Sequence, residues 1–388
     1  MPISNFSFED MLRGWRLNEV LFAYFNLLVG VSGAGKTKIL QSLRTACQAG
    51  LEGAKGINDC RWELEINVEE DRYAWTATIS TEDERAGFTA ETIAKNDAQM
   101  LIERDERLFI FNGKTLPKLK NTDSAIALLK DEPLLTPLYE ALSRFAFSES
   151  MLLPIWFNEA PFIDIEKGLL GPIPAPVTEI DELRSKATTL EALREITSTV
   201  FLCKVFVFQE LFPDDFQRIK EDYMEIFPTV TDLKIGLFGE MAPAVARRFP
   251  GFADFYALGI KEEGVQGWTV GQQVSAGMQR TLVHLLGIAL APSGAVIMAD
   301  EIENSLGVNC LPQLVDHFLR RTDLQFILTS HHPYVINNIP WRYWKLVTRK
   351  GSEVTVRDAT SIPALDSASS LEKFTQLLNL EEYAEAIR

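Results

Sequence analysis

The sequence predicts an α/β protein in which apolar strands end in loops of small or polar residues, and three stretches carry that prediction. Asn26-Leu27-Leu28-Val29 is an apolar run of strand type. It leads into Gly30-Val31-Ser32-Gly33-Ala34-Gly35-Lys36-Thr37 and then into a segment whose Ile39, Leu40, Leu43 and Ala46 share one helical face. Ala295-Val296-Ile297-Met298-Ala299 is a second apolar run, of buried-strand type, ending in Asp300-Glu301. Gln325-Phe326-Ile327-Leu328 is a third, running into Thr329-Ser330-His331-His332-Pro333. With 46% hydrophobic and 24% charged residues, the 388-residue chain has the composition of a soluble globular protein. That length suits one large α/β domain with an inserted lobe, or two domains.

In chain order, residues 3 to 29 hold short apolar runs with aromatics. Gly50 and Gly53 break the helix after the glycine loop. Arg61 to Val68 and Tyr73 to Ile79 each alternate large apolar with polar residues around a turn at Glu69 to Arg72, which predicts a β-hairpin with one buried face. Glu82 to Arg107 reads as a charged stretch, and Leu108-Phe109-Ile110-Phe111 as a strand ending at Asn112-Gly113. From about Asp123 to Gln217 the pattern is mainly helical, in pieces at Ala125–Leu129, Leu134–Phe147 and Thr189–Phe212, with Pro213 as a stop. Pro154 to Pro176 reads as an irregular connection. The aromatics Phe201, Phe206, Phe208, Phe212, Phe216, Tyr223 and Phe227 recur with apolar rather than basic neighbours, which favours a lobe core over a base-stacking platform. Leu233–Leu237 and Tyr256–Ile260 read as strands returning to the first domain. The expected division is therefore 1–120 with 230–388, interrupted by a mainly helical lobe at 121–229.

The loop from Gly30 to Thr37 matches G-x-x-x-x-G-K-[ST] without a mismatch. Between a strand and a helix, such a loop cradles phosphate oxygens with backbone amides and the helix N-terminus. Gly30, Ser32, Gly33, Ala34, Gly35, Lys36, Thr37 and Lys38 are the candidate nucleotide contacts. Lys36 is placed to reach the β- and γ-phosphates and Thr37 to hold Mg²⁺. The competing reading is a glycine-rich turn before a surface helix. In an open parallel sheet, ligands sit at the carboxyl ends of the strands, so Asp300 and Glu301 would face the same site. Asp300 suits the Mg²⁺ shell, and Glu301 suits a general base for an attacking water. Ser275 is a candidate N-cap for a helix whose Leu282, Leu285, Leu286, Ala289 and Leu290 form one face.

The segment Ser275-Ala276-Gly277-Met278-Gln279-Arg280 resembles the signature motif of ABC-type ATPases, in the Ser-x-Gly-x-Gln-Arg form of SMC-like, RecF-like and OLD-like proteins. Thr329-Ser330-His331-His332-Pro333 resembles their Thr-Thr-His-Ser-Pro switch, and Asp300-Glu301-Ile302-Glu303-Asn304-Ser305-Leu306 resembles their Asp-Glu-x-Glu-x-x-Leu run. The resemblance covers about residues 3–80 and 255–350. It departs from the family pattern at Ser32, Met278, Gly307 and His332, and Asn112 is only a weak counterpart of the Q-loop residue. It implies an ABC-type head: a mixed, mainly parallel sheet flanked by helices, with an antiparallel β subdomain. It also implies ATP and Mg²⁺ as cofactors, a γ-phosphate-sensing role for His331, and Ser275, Gly277 and Gln279 completing the ATP site of a second copy. One copy of each motif then implies a homodimer, or a higher assembly built from dimers.

The formal charge of −16 opposes general attraction to nucleic acid. DNA contact would need a local face such as Arg342, Lys345, Arg349 and Lys350, or Lys114, Lys118 and Lys120. Cys47, Cys60, Cys203 and Cys310 form no C-x-x-C pair, no secretory signal is visible, and no apolar run reaches the ~18 residues of a membrane span, so a cytoplasmic protein is expected. His284 and His317 read as packing or surface residues, and a His331–His332 metal pair lacks supporting ligands. Asp358, Asp366, Glu372, Glu381 and Glu382 do not form the acidic cluster of an OLD-type nuclease, and there is no coiled-coil arm. The chain thus resembles stand-alone ATPases of bacterial anti-phage systems, in which an ATP switch controls a nuclease or toxin acting in trans. The alternative is a RecF-like DNA-repair ATPase that clamps DNA directly.

Overall fold

The computed structural model describes residues 2–82, 85–148, 177–196, 201–248, 250–254, 256–270, 273–303 and 310–365. Pro154–Pro176, the run from Asn304 to Gly307, and Asp366, Glu372, Glu381 and Glu382 lie outside them. The chain forms two compact units. The first comprises Met1–Phe147, Gly294–Glu301 and Thr322–Arg388, and the second Ser148–Ser293 and Ile302–Arg321.

In chain order the elements begin with β1 (Ile3–Asp10), β2 (Trp15–Leu21), β3 (Phe25–Val29) and α1 (Lys36–Glu52). A meander follows: β4 (Cys60–Val68), β5 (Asp71–Glu82), β6 (Arg85–Lys95), β7 (Gln99–Asp105), β8 (Phe109–Phe111) and β9 (Lys114–Thr115). Then come α2 (Ala125–Leu128), α3 (Thr136–Ser143) and β10 (Phe145–Ser148). The middle holds α4 (Val177–Lys186), α5 (Leu190–Glu195), α6 (Phe201–Leu211), α7 (Pro213–Ile226), β11 (Val230–Leu237), α8 (Phe238–Met241), α9 (Pro243–Arg248), β12 (Tyr256–Glu262), β13 (Thr269–Val270) and α10 (Ala276–Ala289). The last third alternates β14 (Val296–Ala299), α11 (Leu311–Arg320), β15 (Gln325–Thr329), α12 (Pro333–Asn338), β16 (Trp344–Lys350) and β17 (Glu353–Asp358).

Among the described residues one fourteen-stranded mixed sheet organises the first unit, in the order β10-β14-β15-β3-β16-β17-β2-β1-β4-β5-β6-β7-β8-β9. Strands β14, β15, β3 and β16 run parallel as adjacent pairs, and the meander from β4 to β9 is antiparallel. The parallel strands β3 and β15 are buried along their whole length, as expected of strands covered on both faces. The hairpin expected at 61–79 is β4–β5, with Leu64 opposite Trp75 and Ile66 opposite Tyr73. Trp62 meets Trp75 edge to face at 5.1 Å, so the large apolar members of the alternation form a continuous core on one side. Ile39, Leu40, Leu43 and Ala46 are fully buried, and each such Leu or Ile contributes ~1.5–3 kcal/mol of transfer free energy.

The charged stretch from Glu82 to Arg107 forms two strands, β6 and β7. Its alternation is masked because core positions hold a buried ion pair, Glu91 with Arg104, and because the register shifts between Ile93 and Ala94. The apolar piece from Leu134 to Phe147 divides into α3 and the edge strand β10. It stays with the first unit, as does α2, because α1 packs against both helices.

In the second unit, β11 and β12 pair antiparallel and β13 extends them into a separate three-stranded sheet. Leu233–Leu237 and Tyr256–Ile260 are therefore strands, as expected, but they do not rejoin the large sheet. The amide of Gln209 closes the outer edge of β11, donating to Ile235 O (3.0 Å) and accepting from Ile235 N (2.8 Å). As expected, the helix before Pro213 ends there, α6 stopping at Leu211; Pro213 also starts α7 within its first turn, where its missing N–H leaves no bond unmade. Phe208, Phe216 and Tyr223 are buried, with Phe208 edge-on to Phe216 at 5.8 Å. Lys204 is buried too. Its ammonium donates to Arg194 O, Ile196 O and Leu290 O, and burial pulls its pKa down to about 7. Within the first unit α2 and α3 pack on α1; within the second, β11 packs with α6 and α7, β12 with α6, and α10 with α7.

Candidate nucleotide site

Strand register brings the site together within the first unit. Ala299 of β14 pairs with Leu328 of β15, Thr329 of β15 pairs with Leu28 of β3, and all three strands are parallel. Their carboxyl ends therefore lie on one edge of the sheet. Asp300-Glu301, Ser330-His331 and the Gly30–Thr37 loop all leave from that edge, where open α/β sheets bind ligands.

The loop has the backbone that its glycines allow. A Cβ on Gly30 would stand 2.5 Å from the Val347 carbonyl oxygen, so no larger residue fits between β3 and β16. Gly33 has φ +85°, a backbone that side chains rarely adopt, and faces open space. Ala34 N donates to Val31 O at 3.2 Å and closes the loop. Ser32 and Thr37 are exposed, whereas Lys36 is buried at 4% exposure. The Lys36 ammonium donates to Gly30 O (2.7 Å) and Val31 O (3.1 Å) and lies 3.4 Å from His331 Nδ1. An ammonium can only donate, so Nδ1 is the acceptor in this contact, which leaves the other ring nitrogen, Nε2, for a second partner. That nitrogen lies 3.7 Å from Glu301 Oε1. Lys38, in the first turn of α1, covers the Trp15 ring at 5.4 Å.

The two acids are held differently. Asp300 Oδ2 accepts from Thr37 Oγ1 at 2.7 Å, and Asp300 Oδ1 accepts from Thr329 Oγ1 at 2.5 Å. Glu301 has φ +49°, in the left-handed region that side chains rarely adopt, and its N–H donates to the same Thr329 oxygen at 2.8 Å. Its carboxylate is about half exposed and free to meet a small molecule from solvent. A hydroxyl and a carboxylate oxygen converging at the phosphate loop are hard ligands of the kind Mg²⁺ takes together with phosphate oxygens and water. The donor set and the exposed, positive-φ turn of the loop therefore fit a Mg²⁺-bound nucleoside triphosphate. Sequence reasoning missed Thr329 as a site residue. The available signal was a hydroxyl directly after the apolar run Phe326-Ile327-Leu328, fully buried in the fold.

The signature segment belongs to the second unit. Ser275 caps α10, its Oγ accepting from Met278 N at 3.3 Å, and it is exposed. Gly277 is partly exposed, whereas Gln279 is buried and donates to Val274 O at 2.8 Å, bracing the turn into the helix. His284 is buried in α10 with Nε2 unpartnered, and burial together with Arg280 pulls its pKa down to about 3. His317 lies 3.5 Å from Asp222, and its pKa is lowered, chiefly by burial. His332 accepts from Tyr334 N at 3.2 Å as the cap of α12, so it and His331 have separate partners. Asn112 lies in the β8–β9 turn with Gly113, both at positive φ, and accepts from Gln99, which accounts for it as hairpin chemistry. Of the C-terminal basic cluster, Lys345 is buried against Asp358 at 2.5 Å. Arg349 donates to Gly33 O at 3.5 Å, beside the phosphate loop. Among the described residues no His, Cys, Asp and Glu group is arranged to hold a metal ion by itself, and no helix is long and apolar enough to cross a membrane.

Residues 65–337 match the family described as "AAA domain, putative AbiEii toxin, Type IV TA system". The chain belongs to that family, whose match starts after the phosphate loop and takes in both acids, the signature segment and the switch histidine. Its fold is similar to two solved structures. One is an Smc head bound to the C-winged helix domain of ScpA, at 13% identity and TM-score 0.45, covering 92% of this chain and 97% of that one. The other is an Smc head domain with an extended coiled coil bound to the C-terminal domain of ScpA, derived from Pyrococcus furiosus. It is 15% identical with a TM-score of 0.45, covering 98% of this chain and 99% of that one. No curated protein matches the sequence.

Proposed function

We propose that this chain is an ATP-hydrolysing switch that assembles around ATP as a homodimer, or as a higher oligomer of dimers, and controls an effector protein, a nuclease or toxin, in anti-phage defence. The supporting observation is the convergence of Lys36, Thr37, Asp300, Glu301 and His331 at the carboxyl ends of three parallel strands. The family's link to a toxin and a toxin–antitoxin system supports the effector part of the reading.

In this reading the loop from Gly30 to Lys38 binds the phosphates, and Lys36 leaves its two loop carbonyls for the β- and γ-phosphate oxygens. Thr37 and Asp300 hold Mg²⁺, which supplies neutralisation of phosphate charge. Glu301 takes the proton of the attacking water, and His331 meets the γ-phosphate. Ser275, Gly277 and Gln279 form the helix N-terminus that a second copy presents to the same phosphate. Ser275 is exposed at that N-terminus, where backbone N–H groups favour an anion. Loss of the γ-phosphate removes this contact, so hydrolysis biases the assembled state toward release.

Two variants test the reading. Glu301→Gln is expected to keep ATP binding, to slow hydrolysis ~10²-fold or more as loss of a general base implies, and to accumulate the ATP-bound assembly with the products of neighbouring genes. Ser275→Arg is expected to bind ATP as a monomer and fail to assemble, read by light scattering with and without ATP. Normal ATP-dependent assembly of Ser275→Arg would refute the shared site. DNA-stimulated hydrolysis that falls steeply with salt would replace the effector switch with a DNA-clamping ATPase.

A further inference from the structure

Thr329 is fully buried at the end of β15, and its one hydroxyl serves both acids. It donates to Asp300 Oδ1 at 2.5 Å and accepts from Glu301 N at 2.8 Å. A hydroxyl has one proton, and here it goes to the carboxylate; the lone pair takes the backbone N–H. Two consequences follow from the geometry. With Oδ1 engaged, Asp300 can turn only Oδ2 toward Thr37, and that oxygen lies 2.7 Å from Thr37 Oγ1. The bond to Glu301 N also holds a backbone conformation, φ +49°, that a glutamate adopts only when its surroundings impose it. That conformation aims the Glu301 carboxylate toward His331, 3.7 Å away, rather than along the strand.

We propose that Thr329 is a positioning residue for the hydrolytic site: it presents Asp300 Oδ2 to the metal ion and sets the backbone from which Glu301 reaches the attacking water. The proposal rests on the ATPase reading given above. Valine has nearly the same shape as threonine but cannot donate to Asp300 or accept from Glu301, whereas serine keeps both bonds.

The test uses the full chain as Thr329→Val, Thr329→Ser and Thr329→Ala, with matched melting temperatures as a check on folding. Mn²⁺ binding in the presence of ADP is read by electron paramagnetic resonance, ADP affinity without metal by calorimetry, and ATP hydrolysis as a function of Mg²⁺. Loss of an outer hydrogen bond to a metal-holding carboxylate typically weakens the metal ~10- to 100-fold. Thr329→Val is expected to weaken Mn²⁺ by that factor, to raise the Mg²⁺ needed for half-maximal hydrolysis in parallel, and to leave metal-free ADP affinity unchanged. Thr329→Ser is expected to restore wild-type metal binding. If valine does not fold at this position, alanine, which also lacks the hydroxyl, must show the same loss. A folded Thr329→Val or Thr329→Ala variant with wild-type Mn²⁺ affinity overturns the inference, as does a folded serine variant that behaves like valine. Wild-type protein that binds neither ADP nor ATP overturns the ATPase reading instead, which separates the two failures.

Discussion

Replacing Arg104 with methionine leaves Glu91 without its counter-charge in the core of the meander. The Glu91 side chain is fully buried and that of Arg104 nearly so, with 3.1 Å between Arg104 Nη1 and Glu91 Oε2. Trp75 Nε1 donates to the other carboxylate oxygen at 3.2 Å, and the Arg104 guanidinium also donates to Asp123 O (2.7 Å) and Lys120 O (2.8 Å). Burial raises the Glu91 pKa and Arg104 lowers it, with burial the larger effect. Removing one partner of such a pair costs about 3–5 kcal/mol, mostly through the charge left behind. For a unit of this size that is a fall of roughly 6–20 °C in melting temperature. The loss is expected to depend on pH with a definite sign. Without Arg104 the folded-state pKa of Glu91 rises further above its unfolded value. The folded state then binds more protons than the unfolded one over that window, and stability falls as pH rises through it. Calorimetric unfolding at pH 5 and pH 8 should show the larger loss at pH 8, and adding Glu91→Gln should recover much of it. A loss below about 1 kcal/mol, or an equal loss at both pH values, would refute the assignment of an ion pair whose charges depend on each other.

Lys36→Ala should abolish nucleotide binding measured by calorimetry, because no other side chain at the loop supplies a buried cation to the phosphates; wild-type affinity in that variant would sink the phosphate-loop assignment. His284 should shape the acid limb of stability. Its pKa is held down to about 3, so between pH 6.5 and pH 3 the unfolded chain takes up a proton that the folded chain does not. Stability is complete above pH 6.5 and falls as pH drops, by roughly 2 kcal/mol between pH 6.5 and pH 5. His284→Leu should flatten that part of a urea-stability profile, and an unchanged slope would exclude His284 as its source.

Most of the geometry of the candidate nucleotide site was legible because its pattern is local. The Gly30–Thr37 loop, the strand ending in Asp300-Glu301 and the strand ending before His331 are each a run of a few residues whose spacing states a requirement: small residues where backbone must approach phosphate, acids at a strand's carboxyl end. The β4–β5 hairpin and α10 with its Ser275 cap were legible for the same reason. The strands β6 and β7 were not, because Glu91 and Arg104 sit where the pattern calls for apolar residues and satisfy each other only across two strands. Pro213 read as a stop and is one, since α6 ends at Leu211; that it also starts α7 depends on the residues after it, because proline cannot continue a helix but suits the first turn of the next.

By itself, then, the sequence determined the α/β class, the three strand ends that carry the candidate site, and the residue types at each. Only the tertiary structure decided that β11, β12 and β13 form a sheet apart from the large one, that residues 121–147 belong with α1, and that one buried hydroxyl, Thr329, serves both Asp300 and Glu301. The physical reason is the reach of the interactions. Periodicity and motif spacing record what neighbours along the chain require. Strand pairing and the bonds of one side-chain hydroxyl to a carboxylate 29 positions away and a backbone N–H 28 positions away depend on register, which is set by the packing of the whole unit.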